Sequence, residues 1–243
     1  MTRKLTAAFM ITAAVLGMAA FSGLGSAFNY PDVLNEPDGE VLAKFHDSQG
    51  VVSGWFVVLA AAAALFVPIA IGGGRLSRAR AMRIAVPVGI AAGVVQVVGL
   101  LRWPLLVPGY AAHAASTDPA TATAARDSFD TANEVLGTVI GESFGYVLTA
   151  AWTLLVIVAL RRSFAGRWFS VVGSVSAVLV FAGVLSPLEL PVIDTANFAG
   201  YVLWTLWLVG FGVLLLVRRS PRPVPAQAPA HAAMSVPAVR VSA

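Results

Sequence analysis

Six long apolar stretches constrain this chain more than any other feature of its sequence. A helix needs about 20 mostly apolar residues to cross the hydrocarbon core of a bilayer. The stretches reach that length and are separated by short polar connections; they cover residues 5–28, 51–71, 84–107, 135–160, 168–185 and 198–217. We therefore predict an all-α fold, a polytopic transmembrane helix bundle with six spans.

The composition agrees with a protein whose main partner is the lipid bilayer. Charged residues make up 12% of the 243 residues, whereas a soluble domain carries about 25%. The chain has no cysteine, which excludes disulfides, thiolate catalysis and thiolate metal sites.

The charges of the connections alternate along the chain and predict its orientation. Residues 1–4, 72–83, 161–167 and 218–222 contain Arg or Lys and no acidic residue. Basic connections stay in the cytoplasm, so we expect both termini there and the acidic connections outside. The net charge of +4 is thus a topology signal, and we expect no nucleic-acid partner.

The first span has two interpretations. Its basic start, its apolar middle and the small residues Gly25 and Ala27 are typical of a signal peptide, whose cleavage would remove about residues 1–27 and leave five spans. Retention is favoured because the apolar run exceeds the roughly 7–15 residues of a signal-peptide core and reaches spanning length.

The connections predicted to lie outside contain helix start signals. Asp38 follows Pro37, and Val41, Leu42 and Phe45 follow at helical spacing, which predicts a short surface helix. Asp118 before Pro119 is a favoured helix start that leads toward the fourth span. Residues 1–217 form the predicted membrane domain, and the Pro- and Ala-rich residues 218–243 a disordered cytoplasmic tail.

Two charged residues lie inside predicted spans, where a charge is costly and marks a functional candidate. Arg102 is 18 residues beyond position 84, and Glu142 is 18 residues before position 160, so both lie about 27 Å from the basic end. Because consecutive spans are usually neighbours, a pair between them is the leading interpretation. There are two alternatives. The two charges could form a ligand or ion site, or Arg102 could snorkel outward within an aromatic belt of Trp103 and Tyr110.

Other polar and small residues extend this candidate site. Asn133, Asn197 and Glu189 reach a similar height and could line an outward-facing mouth with the two charges. Gln96 lies deeper in the third span than Arg102, and we predict that it forms an interhelical hydrogen bond. Close approach of the third and fourth spans is predicted by glycines four residues apart, at Gly89, Gly93, Gly137, Gly141 and Gly145.

Catalytic and metal-binding patterns are sparse. His46 and His113 lie in predicted outer connections and His231 in the tail, so no pair of histidines faces across the bundle to hold a haem. A zinc site from His46, Asp47, His113 and Glu189 lacks a characteristic ligand spacing. We predict no cofactor, no metal and no catalytic residue.

Three stretches carry a resemblance to a known family. NYPDVLNEP, VVQVVGLLRWPLLVP and VLGTVIGESFGYVLTAAWTLLV resemble segments of an uncharacterised bacterial family of six-span membrane proteins, known only as a domain of unknown function. GLLRWP, with Arg102, and IGESFGY, with Glu142, are the most specific elements. The resemblance implies a multi-pass protein of the bacterial plasma membrane and brings no activity.

Two functional hypotheses follow. The first is a non-enzymatic binding, transport-accessory or scaffold protein that takes a small amphiphilic or anionic ligand, or a membrane protein partner, at a polar site around Arg102 and Glu142. The second is a membrane enzyme that uses Glu142, with His46 as a further group, on a lipid-like substrate at the outer leaflet.

Overall fold

The computed structural model describes residues 1–160, 166–188 and 190–217, without the side chain of Pro191. These residues form helices and no β-strand, and six helical spans among them are long and apolar enough to cross a membrane. The predicted fold class is confirmed. Arg161, Arg162, Glu189 and the predicted disordered tail at 218–243 lie outside the described residues.

Within the described residues, ten α-helices build the spans and their connections. The first span is α1 (Arg3–Phe28), followed by α2 (Asp38–Asp47); the second is α3 (Gln49–Ala64) with α4 (Phe66–Gly73); the third is α5 (Arg80–Leu105), continued by α6 (Val107–Ala114). The fourth joins α7 (Pro119–Ala132), a π-helical segment (Asn133–Phe144) and α8 (Gly145–Leu160); the fifth is α9 (Arg167–Ala182) with a 3-10 turn (Gly183–Leu188), and the sixth is α10 (Pro191–Val217).

The predicted short helix α2 and the predicted cap at Asp118 are confirmed, whereas Asp38 is the first residue of α2 and not its cap. The Asp118 carboxylate accepts hydrogen bonds from the backbone N–H groups of Ala120 and Thr121 and so caps α7. From there the helix runs without interruption to Leu160. The observed fourth span therefore begins well before residue 135, because the capped outer helix joins it.

The six spans close into a ring in chain order. Each span packs against the one before and the one after it, and α10 packs back against α1. A Cβ added at Gly212 on α10 would lie 3.2 Å from the carbonyl oxygen of Ala7 on α1. The first span thus closes the ring, where it buries Met10 and Leu24 completely.

The two ends of the ring differ in charge. The Arg75 guanidinium donates a hydrogen bond to the backbone carbonyl of Met1, so the N-terminus and the 74–79 connection lie at one end, which we call the basic end. Helices α2, α6 and α7 pack on one another at the opposite, acidic end. The observed packing agrees with the alternation of charge in the sequence.

An aromatic core fills the ring toward the basic end. Trp152 of α8 contacts Phe66 of α4 with ring centroids 4.7 Å apart, and Trp207 of α10 with centroids 6.1 Å apart. The Trp207 indole also donates to the backbone carbonyl of Phe169 at 2.9 Å. These side chains are almost completely buried, so this half of the ring is a packed core.

A second core lies toward the acidic end, centred on Trp103. Its ring stacks on Phe56 at a centroid distance of 4.8 Å and an interplanar angle of 3°, with Phe28, Phe45 and Phe129 at its edges. Trp103 is 0% exposed. The prediction that it belongs to an interfacial belt is therefore wrong for Trp103, because α2 and α7 cover it.

Candidate functional site

The third and fourth spans meet along a seam of glycines. A Cβ added at Gly99 of α5 would lie 2.6 Å from the Cα of Gly141, and one at Gly145 would lie 3.2 Å from Cγ of Gln96. Close approach at Gly137, Gly141 and Gly145 is confirmed. On the third span the predicted Gly89 is also confirmed, since a Cβ there would lie 2.5 Å from Cδ1 of Trp152 on α8. The seam further uses Gly99, whereas the predicted Gly93 faces the backbone of the second span at Ala63.

Arg102 is enclosed by this seam. Its side chain is buried; Nη1 donates to the Gly99 carbonyl at 2.7 Å, and Nη2 donates to Asn133 Oδ1 at 2.8 Å. Gly137 makes the room, since a Cβ there would lie 2.5 Å from Nη2. The Nε atom is buried and has no hydrogen-bond partner among the described residues. Arg102 therefore points into the protein, and the snorkelling alternative is wrong.

Arg102 and Glu142 do not form the expected direct pair. Among the described residues, no Glu142 oxygen comes within 4.0 Å of the guanidinium, although the two charges interact over a longer distance. The residues of the fourth span that face α5 are Asn133, Gly137 and Gly141. Glu142 is one residue further, so its side chain is turned away from the seam.

Glu142 begins a stripe of polar residues on the fourth span, which we call the interior stripe: Glu142, Tyr146, Thr149 and Thr153. Their spacing of four, three and four residues places them on one helix face. Gln96 of α5 donates to the Thr149 hydroxyl at 3.0 Å, and the Trp204 indole of α10 donates to the Thr153 hydroxyl at 2.8 Å. The stripe therefore faces the inside of the ring, between the third and sixth spans, and the predicted interhelical role of Gln96 is confirmed.

Three tyrosines interact electrostatically with Glu142. The Tyr146 and Tyr201 rings lie 5.8 Å apart, and both side chains interact with Glu142. The third is Tyr30, in the connection after α1. Burial, and then the charge of Glu142, raise the pKa of Tyr30 to about 12, against a smaller opposing effect of Arg102. Tyr30 therefore keeps a neutral hydroxyl at physiological pH.

Glu142 has no direct partner within the part of the chain that is described. No hydrogen bond or ion pair reaches its carboxylate there, whereas Thr149 and Thr153 both accept one. Asp194 of α10 adds a second negative charge nearby. A carboxylate without a partner inside a span is costly unless something else satisfies it.

The remaining predicted site residues are divided by the fold. Asn133 joins the site as the partner of Arg102. Asn197 donates to the Val180 carbonyl at 2.8 Å and so links α10 to α9; it lies beside Tyr146 of the interior stripe, since both side chains would contact a Cβ added at Gly183. Glu189 lies outside the described residues. The sequence analysis missed Tyr30, Tyr146, Thr149, Thr153, Tyr201 and Trp204, although the spacing of the interior stripe was a readable signal.

The fourth span changes its helical geometry at this site. The segment Asn133–Phe144 is π-helical and carries both Asn133 and Glu142. π-Helical turns are rare and are frequently found at functional sites. Here the wider turn separates the residue that binds Arg102 from the one that faces the ring interior.

An open groove of about 560 Å³ lies on the other side of the π-helical segment. Polar side chains from α7 and apolar side chains from both spans line it: Leu106, Tyr110, Asp127, Ser128, Thr131, Ala132, Val135 and Leu136. Neither Arg102 nor Glu142 lines the groove. The groove is therefore separate from Arg102 and from the interior stripe, and it lies at the acidic end.

The histidines do not join the site. His46 on α2 and His113 on α6 are exposed. No group of three His, Asp or Glu side chains in the described ranges is arranged to hold a metal ion.

The comparisons with known proteins give a family and no activity. No curated protein and no solved structure matches the chain. The family model described as "Domain of unknown function (DUF4386)" matches residues 5–212, which contain most of each of the six spans, the glycine seam and the interior stripe. The chain is therefore an integral membrane protein that belongs to the DUF4386 family.

Proposed function

We propose that this protein is a non-enzymatic membrane binding protein whose interior stripe holds the polar head of a small amphiphile. Glu142 is the main contact. The head group would donate a hydrogen bond or a positive charge to the carboxylate, with the hydroxyls of Tyr30, Tyr146 and Tyr201 around it. The single observation that supports this assignment is the partnerless carboxylate of Glu142 inside a span.

Arg102 has a positioning role in this proposal. Its two terminal nitrogens are already bonded to Gly99 and Asn133, so a bound anion would have to displace one of these contacts. Its charge still acts on Glu142 over a longer distance. An acceptor of hydrogen bonds thus faces the ring interior, which favours a donor head group over an anionic ligand.

We further propose that the protein is located in a bacterial plasma membrane with both termini in the cytoplasm. The basic end carries Arg75, Arg78, Arg80 and Arg83 without an acidic residue in that connection, and basic connections are retained in the cytoplasm. Glu142, at one end of the interior stripe, then lies nearer the outer leaflet. In this orientation the protein could present its ligand to a membrane protein partner.

Native mass spectrometry of the full chain, purified in detergent, tests the binding role. We expect a copurifying small molecule in the wild type, and its loss in Glu142→Gln, which removes the charge and keeps the shape. Glu134→Gln is the matched control, because Glu134 is exposed on the same π-helical segment and its change should leave the ligand bound.

Two results would contradict the assignment. Retention of the same molecule in Glu142→Gln would exclude the carboxylate as the main contact. Loss of the molecule in Ser128→Leu, with retention in Glu142→Gln, would move the site to the groove on the other side of the π-helical segment.

A further inference from the structure

The basic end carries a groove that no part of the proposed binding role uses. It has a volume of about 550 Å³ and is lined by Arg78, Arg80, Arg83 and Ile84. All four side chains are exposed. The groove lies where the third span begins, at the level expected for lipid head groups.

The three arginines of the groove are not neutralised by the protein. No carboxylate of the described residues lies within ion-pair distance of Arg78, Arg80 or Arg83. The neighbouring Arg75 is directed elsewhere, because it donates to the Met1 carbonyl. Guanidinium groups stay protonated at any physiological pH and bind phosphate with two parallel hydrogen bonds. The groove is thus suited to an anionic phosphate group.

An apolar strip on α5 continues from the groove toward the middle of the bilayer. Ile84, Val94, Val98 and Leu105 are 44%, 50%, 42% and 69% exposed. At about 100° per residue these four positions lie within one quarter of the helix circumference, and Arg80 lies within the same sector. The arginine groove and the apolar strip therefore form one continuous surface with a charged end and an apolar length.

From this surface we infer that the protein binds an anionic glycerophospholipid from the surrounding leaflet. The lipid phosphate lies among Arg78, Arg80 and Arg83, and an acyl chain follows Ile84, Val94 and Val98 along α5. The positive end of the α5 dipole, which has no side-chain cap, adds to the attraction. This inference does not depend on the ligand of the interior stripe, whose main contact Glu142 lies toward the other end of the ring.

The test compares lipid binding to the full chain in detergent by native mass spectrometry. Phosphatidylglycerol serves as the anionic lipid and phosphatidylcholine as the zwitterionic one. The groove variant Arg78→Gln/Arg80→Gln/Arg83→Gln removes three charges. The matched control Lys4→Gln/Arg75→Gln/Arg167→Gln removes three exposed charges from the same end and spares the groove.

We expect phosphatidylglycerol to bind the wild type more tightly than phosphatidylcholine does. A basic residue near an anionic lipid surface contributes about a fivefold factor in affinity. The groove variant should therefore weaken phosphatidylglycerol binding about a hundredfold, while the control variant should change it little. Equal weakening in both variants, no weakening in the groove variant, or equal binding of the two lipids to the wild type would each overturn the inference.

Two further arms keep the test decisive. If the groove variant does not fold, Arg78→Lys/Arg80→Lys/Arg83→Lys keeps the charge and loses the planar fork of arginine. Weaker phosphatidylglycerol binding to this variant supports the inference, and unchanged binding overturns it.

Inorganic phosphate added as a competitor distinguishes a free anion from a lipid. Binding of phosphate as tight as that of phosphatidylglycerol would show that the acyl chain contributes nothing, and would overturn the lipid assignment.

Discussion

Arg102 of the third span and Asn133 of the fourth are joined by a hydrogen bond of 2.8 Å between Nη2 and Oδ1. The bond lies at the point where α7 gives way to π-helical turns. It fixes the guanidinium over Gly137 and leaves Glu142 facing the ring interior. This pairing, and not an ion pair with Glu142, satisfies the charged side chain inside the third span.

Replacing Asn133 should destabilise the protein through Arg102. Asn133→Leu leaves the Nη2 group buried without an acceptor, and a hydrogen bond to a charged group is worth about 2 kcal/mol. We expect a loss of that size, measured as a lower unfolding temperature in detergent. Glu134→Gln, at the next and exposed position, should leave the temperature unchanged. Equal stability of Asn133→Leu and the wild type would show that the bond contributes nothing.

The glycine seam should not tolerate even a methyl group. Gly137→Ala would press on the guanidinium, and Gly99→Ala would press on the backbone of Gly141 at 2.6 Å. Overpacking costs about 1–3 kcal/mol. Gly99→Ala should be more destabilising than Gly137→Ala, because the backbone of Gly141 cannot move away as a side chain can. Gly17→Ala on α1, where nothing lies within 4 Å, is the control and should be neutral or slightly stabilising. The unfolding temperatures of the three variants in detergent give their order of stability.

Double-mutant cycles should distinguish the two candidate partners of Arg102. Because Arg102 and Asn133 are in contact, we expect the cycle of Arg102→Met with Asn133→Leu to show a coupling of about 2 kcal/mol. The cycle of Arg102→Met with Glu142→Gln should show less than half of that, since the two groups interact only at longer range. Denaturation in detergent measures both. A larger coupling with Glu142 would restore the direct pair as the main interaction.

The cap of α7 should make a contribution to stability that depends on pH. Hydrogen bonds from the Thr121 hydroxyl, and then from the backbone of Thr121 and Ala120, hold the pKa of Asp118 below its usual value of 3.8. Because the folded-state pKa is lowered, the contribution is fully present above the usual pKa and is lost as the pH falls through the lowered value. Asp118→Ala should therefore lower the unfolding temperature at pH 7 and make little difference at about pH 2. A difference that persists unchanged in acid would contradict this.

The orientation remains a prediction from the charge pattern and can be tested directly. Reporter fusions after Arg162 and at the tail should report a cytoplasmic location, and a fusion after Asp118 an external one. An external signal after Arg162 would reverse the orientation and place the arginine groove in the outer leaflet.

The amino-acid sequence by itself determined the class of fold and much of its local structure. Apolar length specifies a spanning helix whatever the neighbours are, and the Asp118 cap and the buried face of α2 depend on residues close in the chain. Arg102 and Glu142 could also be singled out, because a charge within an apolar run is visible without coordinates.

The tertiary structure decided which side chains meet. Arg102 and Glu142 lie at equal depth on neighbouring spans, but depth does not determine the direction in which each side chain points. That direction depends on the rotation of each helix about its axis. The π-helical segment changes that rotation between Asn133 and Glu142, so one reaches Arg102 and the other the ring interior. Closure of six spans into a ring, finally, brings Gln96, Thr149 and Trp204 from three different spans to one polar stripe, a relationship that no periodicity within a single helix contains.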